Sequence, residues 1–516
     1  MLEPLRHVAR LLAIAHTLAR HDALFPLEAA EIAPIVTFLA RALAKKRRGG
    51  DNVLRPGQRL AAALEELGPS FIKLGQAISV RSDLLGEEVA EDLSLLQDRL
   101  PPFASAEVRA TIERELGKPV ETLFARFDDK PIAAASIAQV HYAETTTGDP
   151  VAVKVLRPGI EASFERDIAL LDWLAGLVER TRPSLRRLKP RDVVTTFRET
   201  VHIEMDLRME AAAASEFAES LSDDPNVHVP TVDWLRTSRR VMTLERIEGI
   251  PIDERDNLIA AGHDPDRIVA RAAETFFVQV FRNGFFHADM HPGNVFVDRD
   301  GRLVMVDFGI MGRVDRKTRI YLAEMLVGFL QGDYRAVADV HFRAGYIPRE
   351  KSVDAFMQAC RSIGEPIMNK PLHEISLARL LAQLFQITET FEMETQPQLL
   401  LLQKSMLLAE GVGRRLNPDI NMWTLARPLV EEWMRANRGP EARIRESMYE
   451  LVDLVERLPE FARETEVAIS RLANIGLMLH PETLQVLSAA QRGEVALLLP
   501  LWAVVLLLAL ILLILL

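Results

Sequence analysis

The sequence predicts an α+β fold in which a β-rich segment lies between two helical regions. Residues 56–130 carry apolar residues at helical spacing, punctuated by prolines. The pattern changes at residue 131, where two β-rich runs flank a Thr-Thr-Gly-Asp turn. From residue 316 to about 490 the pattern is again almost wholly helical. We therefore expect a helical N-terminal region, a mixed middle region and a helix-rich C-terminal part.

The composition excludes several classes of protein. The chain has 516 residues, of which 48% are hydrophobic and 26% charged, as in ordinary globular proteins. A formal net charge of −11 argues against a nucleic acid as partner. The single cysteine, Cys360, cannot form an intramolecular disulfide, which indicates a reducing compartment. We expect this side chain to pack as a small hydrophobic group.

The N-terminal region, residues 1–130, contains a basic run. Residues 1 to about 48 are rich in leucine and alanine, have a helical pattern and end in Lys45-Lys46-Arg47-Arg48. Such a run is either a solvated helix end or a contact with anionic lipid headgroups.

A second helix in this region follows Gly68-Pro69. Phe71, Leu74 and Ile78 fall on one helical face, whereas Lys73 and Gln76 lie on the opposite face. Taken alone, Lys73 and Gln76 are no more than a polar face.

The middle region alternates strands and helices. The spacing predicts helices near 160–180, 193–220 and 264–283, strands at 228–234 and 240–247, and a hairpin at 295–306.

A set of polar residues at fixed spacing surrounds this hairpin. Asn294 follows Asp289 by five positions, and Asp307 opens an Asp-Phe-Gly string thirteen positions further on, which is the spacing of a kinase catalytic loop and metal loop. Asp289 could orient or deprotonate an acceptor, while the oxygens of Asn294 and Asp307 suit Mg²⁺. Upstream, a Val-Ala-Val-Lys string places Lys154 on a strand, where it can pair with nucleotide phosphates. In this order, the strings resemble those of kinase-like proteins, and that resemblance implies a protein-kinase-like bilobal fold.

Three further strings complete a resemblance to the UbiB family of atypical kinase-like proteins. Lys73-Leu74-Gly75-Gln76 matches the family's Lys-x-Gly-Gln signature in an N-terminal helical extension. Ala133-Ala134-Ala135-Ser136 stands where protein kinases have a Gly-rich loop, and Glu204-Met205-Asp206 matches the family's Glu-x-Asp motif. The resemblance runs from about Gly68 to Gly312 and, by its hydrophobic tail, to the C-terminus.

The resemblance implies ATP and Mg²⁺ as cofactors, with Asp289 as the catalytic residue and Asn294 and Asp307 as metal ligands. Thr243–Ile247 falls where an adenine-binding hinge is expected. The nucleotide-binding residues that it implies are Pro131, Ile132, Ala133, Ala134, Ala135, Ser136, Ile137, Ala138, Gln139, Lys154, Glu210, Glu245 and Ile247.

The resemblance also implies a gate made of Lys73, Gln76, Glu204 and Asp206, formed when the N-terminal extension folds over the active site. On a continuous helix, Asp206 and Glu210 share a face, while Glu204 lies elsewhere. We expect Glu210 to pair with Lys154, and Glu204 and Asp206 to meet Lys73. The alternatives are that the acids exchange partners or are solvated helix residues.

Two departures from ordinary protein kinases affect the expected chemistry. An alanine loop carries β-carbons that restrict its conformations, so it should hold a nucleotide differently and transfer phosphate poorly. Alternatively, Ala133-Ala134-Ala135-Ser136 is a small-residue helix start. His291 stands two residues after Asp289, where protein kinases usually place a lysine, and neutral histidine would stabilise the transferring phosphoryl group less.

The last 22 residues, 495–516, contain no charge. As a helix they would reach roughly 33 Å, enough for a bilayer core of about 30 Å. We expect a transmembrane anchor; the alternative is a buried terminal helix. Arg492 on the flank favours a cytoplasmic main domain. The resemblance implies that the membrane is the bacterial inner membrane.

The expected organisation has four parts: a helical extension (1–130), a kinase-like N-lobe (131–248), a C-lobe with a helical region (249–490) and the anchor (495–516). The resemblance implies an ATPase or phosphotransferase that supports ubiquinone biosynthesis at the membrane. The alternative is a non-catalytic nucleotide-binding scaffold. The expected partners are membrane lipids and either ubiquinone-biosynthesis enzymes or polyprenyl quinone precursors.

Overall fold

A computed structural model describes residues 3–25, 54–79, 89, 92–93, 96, 101–181, 190–367, 383, 386–388, 390–393, 397–419 and 422–438. The chain up to Met434 forms one compact unit, and residues 435–516 form a second, of which only 435–438 are described. The basic run at 45–48 and the expected anchor at 495–516 lie outside the described residues. Within the described ranges, no helix has the length and apolar character needed to cross a bilayer.

The helices of the described ranges are α1 (Glu3–Arg20), α2 (Pro56–Leu67), α3 (Pro69–Ser79), α4 (Ser105–Leu116), α5 (Val120–Leu123), α6 (Ile160–Thr181), α7 (Pro190–Glu204), α8 (Leu207–Ser220), α9 (Arg255–Ala260), α10 (Pro265–Phe277), α11 (Arg316–Gln331), α12 (Tyr334–Ala344), α13 (Val353–Ile367), α14 (Pro397–Leu416) and α15 (Met422–Arg438). A π-helical segment, Val278–Asn283, continues α10, and two 3₁₀ turns lie at Trp234–Arg236 and Pro292–Asn294.

The strands are β1 (Phe124–Phe127), β2 (Ala133–Ala134), β3 (Ala138–Thr145), β4 (Pro150–Leu156), β5 (Val227–His228), β6 (Val241–Glu245), β7 (Ile250–Pro251), β8 (Phe285–His287), β9 (Val295–Val297), β10 (Leu303–Met305) and β11 (Met311–Arg313).

The first lobe is built on an antiparallel sheet in the order β1-β3-β4-β6, with β2 paired to β3. Along β4, Val151, Val153 and Val155 are buried in a cluster that includes Val108 and Ile112 of α4. Because side chains alternate along a strand, Lys154 projects from the opposite face of the sheet. The alternation thus covers one face of β4 and leaves the other for Lys154.

The second lobe carries the hairpin and a helical layer. Strands β5-β10-β9-β7 form a four-stranded sheet, in which β5 and β10 are parallel, and β8 pairs with β11. The hairpin expected at 295–306 is present as β9 and β10. Strand residues such as Val295 and Leu303 are packed in a buried cluster with residues of α8, α10 and α14. From α11 onward the described chain is helical, as expected.

The N-terminal helices α1, α2 and α3 pack on α6. Phe71 of α3 is buried with Leu64 of α2 and Leu170 of α6, and the expected apolar face of α3 joins this cluster. A Cβ atom on Gly75 would lie 2.5 Å from Leu96 Cδ1 and 2.8 Å from Leu64 Cδ1. Glycine at this position therefore allows α3 to approach its neighbours closely.

Three expected elements differ in the structure. The helix expected at 193–220 is broken into α7 and α8, because Asp206 adopts an extended conformation and caps α8 through the Arg208 amide. The strand expected at 228–234 is shortened to β5; Pro230 follows it, and a 3₁₀ turn capped by Asp233 begins at Trp234. The sheet begins at β1, before the expected boundary at residue 131, so that boundary falls inside the first lobe.

Candidate functional site

Lys154 lies at the centre of the candidate site. Its Nζ donates to Glu210 Oε1 at 2.7 Å and to Oε2 at 2.9 Å, and it reaches Asp307 Oδ1 at 3.3 Å. The exposed fractions of the Lys154 and Glu210 side chains are 17% and 9%, whereas that of Asp307 is 51%. The ion pair expected between Lys154 and Glu210 is therefore formed, and Lys154 also joins both lobes by binding Asp307.

The charges of this cluster reinforce one another. Burial alone would lower the pKa of the Lys154 ammonium, but the carboxylates of Asp307 and Glu210 outweigh it and raise that pKa. In turn, the Lys154 ammonium, with a further contribution from Lys73, holds the pKa of the Asp307 carboxyl well below its ordinary range. Asp307 is thus an ionised carboxylate at neutral pH, as a ligand of a divalent cation must be.

Asp307 also has an unusual backbone. Its φ is +62°, in the left-handed region that non-glycine residues seldom adopt. The next residue, Phe308, is buried against the rings of Phe217 and His287, each with a centroid separation of 5.7 Å. This aromatic contact anchors the Asp-Phe-Gly string and directs Asp307 toward Lys154.

The loop that carries Asp289, residues 287–294, is held by a buried histidine. Burial lowers the pKa of His287, and the neutral ring bridges two segments. Its Nε2 bonds the Val306 carbonyl at 3.1 Å, and its Nδ1 accepts from the Asp289 amide at 3.2 Å. Asn294 Nδ2 donates to the Asp289 carbonyl at 3.0 Å, which orients the amide and leaves its oxygen as the atom that could face a cation.

The lysine that protein kinases place two residues after the catalytic aspartate has no counterpart at His291. The Nδ1 of His291 accepts from the Gly293 amide at 2.8 Å and caps the 3₁₀ turn. Instead, Lys404 of α14 reaches Asp289 Oδ1 at 3.0 Å. Lys404 was not among the predicted site residues; the one sign in the sequence was His291, which stands where a kinase lysine is usual.

In the alanine-rich loop, Ala133 and Ala134 form the short strand β2, and Ala135 and Ser136 lie in the tight turn that leads to β3, so the loop is not a helix start. The Ala135 amide donates to the Ala138 carbonyl at 2.7 Å, and the Arg157 amide donates to the Ile137 carbonyl at 2.7 Å. The Ser136 side chain is fully buried, and its Oγ has no hydrogen-bond partner among the described residues. The loop thus contains a polar atom that a ligand could satisfy.

Gln139 is not placed as expected. Val140 is the β3 residue opposite Lys154, so Gln139 projects from the other face of the sheet. There its amide contacts the Phe103 backbone and His141 Nε2, the latter at 2.9 Å. Its side chain is turned away from Lys154, and its position does not support nucleotide contact. The other residues expected at 131–138 lie in β2, in the turn or next to them.

The expected hinge, residues 243–247, covers the end of β6 and the two residues after it. The Glu245 amide donates to the Thr231 carbonyl at 2.8 Å, and the Glu245 carboxylate binds His228 and the Thr231 amide. The amide of Glu245 is therefore occupied within the protein. Ile247, two residues further on, is half-buried and remains the stronger hinge candidate.

The expected gate is formed in part. Lys73 Nζ lies 3.2 Å from Glu204 Oε2, with exposed fractions of only 12% and 15%. Gln76 Nε2 donates to the Leu96 carbonyl at 3.2 Å. Asp206 binds the Arg208 guanidinium at 2.6 and 2.9 Å and caps α8. The break between α7 and α8 thus separates the two acids: Glu204 faces Lys73, whereas Asp206 serves the start of α8.

Comparison with family models gives two matches. Residues 95–341 match the ABC1 atypical kinase-like domain, and residues 360–421 match the UbiB helical domain. Asp289, Asn294 and Asp307 lie in the first matched range, and Lys404 lies in the second.

Relatives and one solved structure are also similar. The probable protein kinase UbiB of Marinobacter nauticus is 44% identical over 427 residues, covering 82% of this chain and 78% of the relative. The probable protein kinase UbiB of Azotobacter vinelandii is 43% identical over 419 residues, covering 80% of this chain and 77% of the relative. The structure of the Rv3197–erythromycin complex from Mycobacterium tuberculosis is 27% identical with a TM-score of 0.51, and the match covers 72% of this chain and 94% of that one.

Proposed function

The chain belongs to the UbiB family and carries its ABC1 kinase-like domain, and from that premise we propose that it binds Mg-ATP and catalyses ATP hydrolysis or phosphoryl transfer. One observation carries the proposal. Lys154 binds Glu210 and Asp307 together, which is the arrangement that a kinase-like site needs before it can bind nucleotide phosphates and metal.

The residues of the site fit a magnesium nucleotide. Asp307 offers an ionised carboxylate and Asn294 an oriented amide oxygen, and Mg²⁺ prefers such hard oxygen ligands together with phosphate oxygens and water. The buried Ser136 hydroxyl is a polar atom for which a phosphate oxygen would be a partner. Bound Mg²⁺ would neutralise charge on the phosphates; the chain's own groups would bind and orient them.

Asp289 is the group proposed to orient or deprotonate the acceptor. Its backbone amide is held by His287, and its carbonyl by Asn294. This support fixes the residue on both sides, as a catalytic residue requires.

A second function remains a candidate because of the alanine-rich loop. Its β-carbons and its tight turn restrict the approach of phosphates, which favours nucleotide binding without rapid turnover. Nucleotide binding without rapid turnover would be sufficient for a scaffold that organises quinone-biosynthesis enzymes or lipid precursors. For either function, we propose that the chain supports ubiquinone synthesis at the bacterial inner membrane, since its relatives are named UbiB.

Isothermal titration calorimetry and an ATPase assay would separate the two functions. The wild type should bind Mg-ATP and release phosphate. Asp307→Asn should lose Mg-dependent binding, whereas Asp289→Asn should retain it and lose turnover by about 10²-fold or more. Binding without turnover under all lipid and quinone-precursor conditions would favour the scaffold. Equal Mg-ATP affinities in the wild type and Asp307→Asn would refute the metal assignment.

A further inference from the structure

The ion pair between Lys404 and Asp289 joins the helical region to the catalytic loop. The two residues are 115 positions apart, and Lys404 Nζ lies 3.0 Å from Asp289 Oδ1. The exposed fractions of their side chains are 33% and 24%, so both charged groups are partly accessible to solvent. Lys404 is therefore beside the carboxylate that the proposed function assigns to the acceptor.

The backbone around Lys404 is fixed by buried neighbours. Leu402 is buried in the same cluster as Ala288, the residue before Asp289. Ser405 is fully buried, and its hydroxyl donates to the Leu401 carbonyl at 2.9 Å. Both sides of Lys404 on α14 are thus packed into the protein, which sets the position of the lysine relative to the catalytic loop.

The local sequence provides no other cation at this point. His291 stands where a kinase lysine would be, but its Nδ1 is already engaged by the Gly293 amide within the loop. An ammonium has three donors, so Lys404 can stay bonded to Asp289 while another donor binds a phosphoryl oxygen. Charge placed in advance at a developing phosphoryl transition state accelerates the transfer.

We propose that Lys404 is a further catalytic residue of this site, supplied by the helical region, which binds the transferring phosphoryl group beside Asp289. The inference rests on the proposed function. The acceptor oxygen forms a bond to the γ-phosphorus, the bond from that phosphorus to the ADP oxygen breaks, and its electron pair leaves with ADP. The acceptor proton passes to Asp289, and Lys404 keeps its protons throughout.

A purely structural role makes different predictions. If Lys404 only attaches α14 to the catalytic loop, its replacement would lower the thermal unfolding temperature and reduce ATP and ADP affinities together. If Lys404 binds the γ-phosphoryl group, its replacement would weaken binding of the triphosphate and leave the diphosphate unaffected.

The test compares Lys404→Met, Lys404→Gln and Lys404→Arg with the wild type, using Mg-ADP and the non-hydrolysable analogue Mg-AMPPNP. The Met and Gln variants should lose about tenfold in AMPPNP affinity with ADP affinity unchanged, and about 10²-fold in kcat, while the KM for ATP rises by about tenfold, as the weaker triphosphate binding requires. Glutamine can still donate a hydrogen bond to Asp289 but carries no positive charge, so this variant distinguishes the effect of the charge from that of the contact. The Arg variant should recover part of kcat.

Lys351→Met is the matched control, because Lys351 also pairs with an acid, Glu392, at 2.7 Å on the protein surface. The Lys351→Met variant should leave the affinities for Mg-ADP and for Mg-AMPPNP unchanged. If the wild type and Lys404→Gln show equal AMPPNP-to-ADP affinity ratios, the proposed role of Lys404 is overturned, while the proposed function of the site still stands. A wild type that binds neither nucleotide would refute the proposed function, and this inference with it.

Discussion

Lys73 of α3 and Glu204, the last residue of α7, form a mostly buried ion pair with 3.2 Å between Nζ and Oε2. The charge of Lys73 also contributes to the low pKa of Asp307. The N-terminal helices therefore reach the candidate site electrostatically, and they are tied to α6 by the Arg10–Asp167 pair at 3.0 Å. These contacts give the expected gate a physical basis.

Lys73→Ala should release a block on the active site. We expect autophosphorylation or ATP turnover to rise by about fivefold or more, because the extension loses one of its contacts beside the site. The variant should also lose about 1–3 kcal/mol of unfolding free energy, since Glu204 keeps a half-satisfied, poorly hydrated carboxylate. Radiolabelled phosphate incorporation and denaturant unfolding measure the two effects.

Glu204→Gln is the matching variant for this gate. It removes the charge of the partner and should also raise turnover. Lys351→Ala, on the surface, should leave turnover unchanged. If Lys73→Ala shows neither autophosphorylation nor a changed nucleotide affinity, the gating role is wrong.

Ala134→Gly should alter nucleotide preference. Glycine frees the backbone of a turn that is now held by the Ala135 and Arg157 amides. We expect the ratio of ATP to ADP affinities to shift by about fivefold, equivalent to roughly 1 kcal/mol. Calorimetry with both Mg-nucleotides measures it. Ala143→Gly, at the far end of β3, makes the same change outside the loop. Identical affinities and turnover in Ala134→Gly and the wild type would place the loop away from the phosphates.

Much of the site could be predicted because its residues follow one another at short, fixed spacing. Asp289, Asn294 and Asp307 lie around one hairpin, and Lys154 follows from strand alternation. Glu210 was expected as the partner of Lys154, with an exchange with Glu204 or Asp206 as the alternative, and the structure places Glu210 there. Such local relations are set by backbone geometry, which the sequence pattern expresses directly.

Other features depend on contacts that sequence spacing does not reveal. The break at Asp206 is stabilised by the Leu207 amide, which donates to the distant Arg239 carbonyl at 2.9 Å. The face on which Gln139 lies follows from the register of β3 on β4, which pairs Val140 with Lys154. Lys404 reaches Asp289 only because α14 packs under the catalytic loop. In each case a tertiary contact decides between local alternatives.

Stability should fall as the pH drops from 7 to 5. Burial lowers the pKa values of His141, His287 and His341 below their ordinary value. Below about pH 6.5 the unfolded chain binds protons at these positions that the folded chain does not bind, so the free energy of unfolding decreases with falling pH. The stabilisation that these neutral histidines give is present above their unfolded pKa and is lost as the pH falls below it.

His341→Phe and His341→Gln should each flatten this dependence by up to about 1.4 kcal/mol per pH unit. His341 lies on α12, packed on Phe356 with 4.9 Å between ring centroids. Urea unfolding at half-unit pH steps gives the slope. The two variants differ in packing, so their midpoints should differ while their slopes agree. A slope equal to that of the wild type would show that His341 does not titrate on unfolding.

Truncation after Arg492 should give a protein that binds Mg-nucleotide but fails to support quinone synthesis in cells. All residues proposed for the nucleotide site, including Lys404, precede Arg492, and the chain to Met434 forms a compact unit. Among the removed residues, 495–516 carry no charge, so as a helix they would have no polar face for water. Because polyprenyl quinone precursors dissolve in the bilayer, an anchor would raise the local concentration of the domain near them.

Membrane fractionation and growth on a respiratory carbon source measure this effect. A variant in which residues 495–516 are replaced by an unrelated apolar span is the control, and it should restore both localisation and growth. A truncated protein that stays in the membrane fraction would assign anchoring to the N-terminal region and its basic run at 45–48. One that is released from the membrane yet supports full growth would show that the function does not depend on the span.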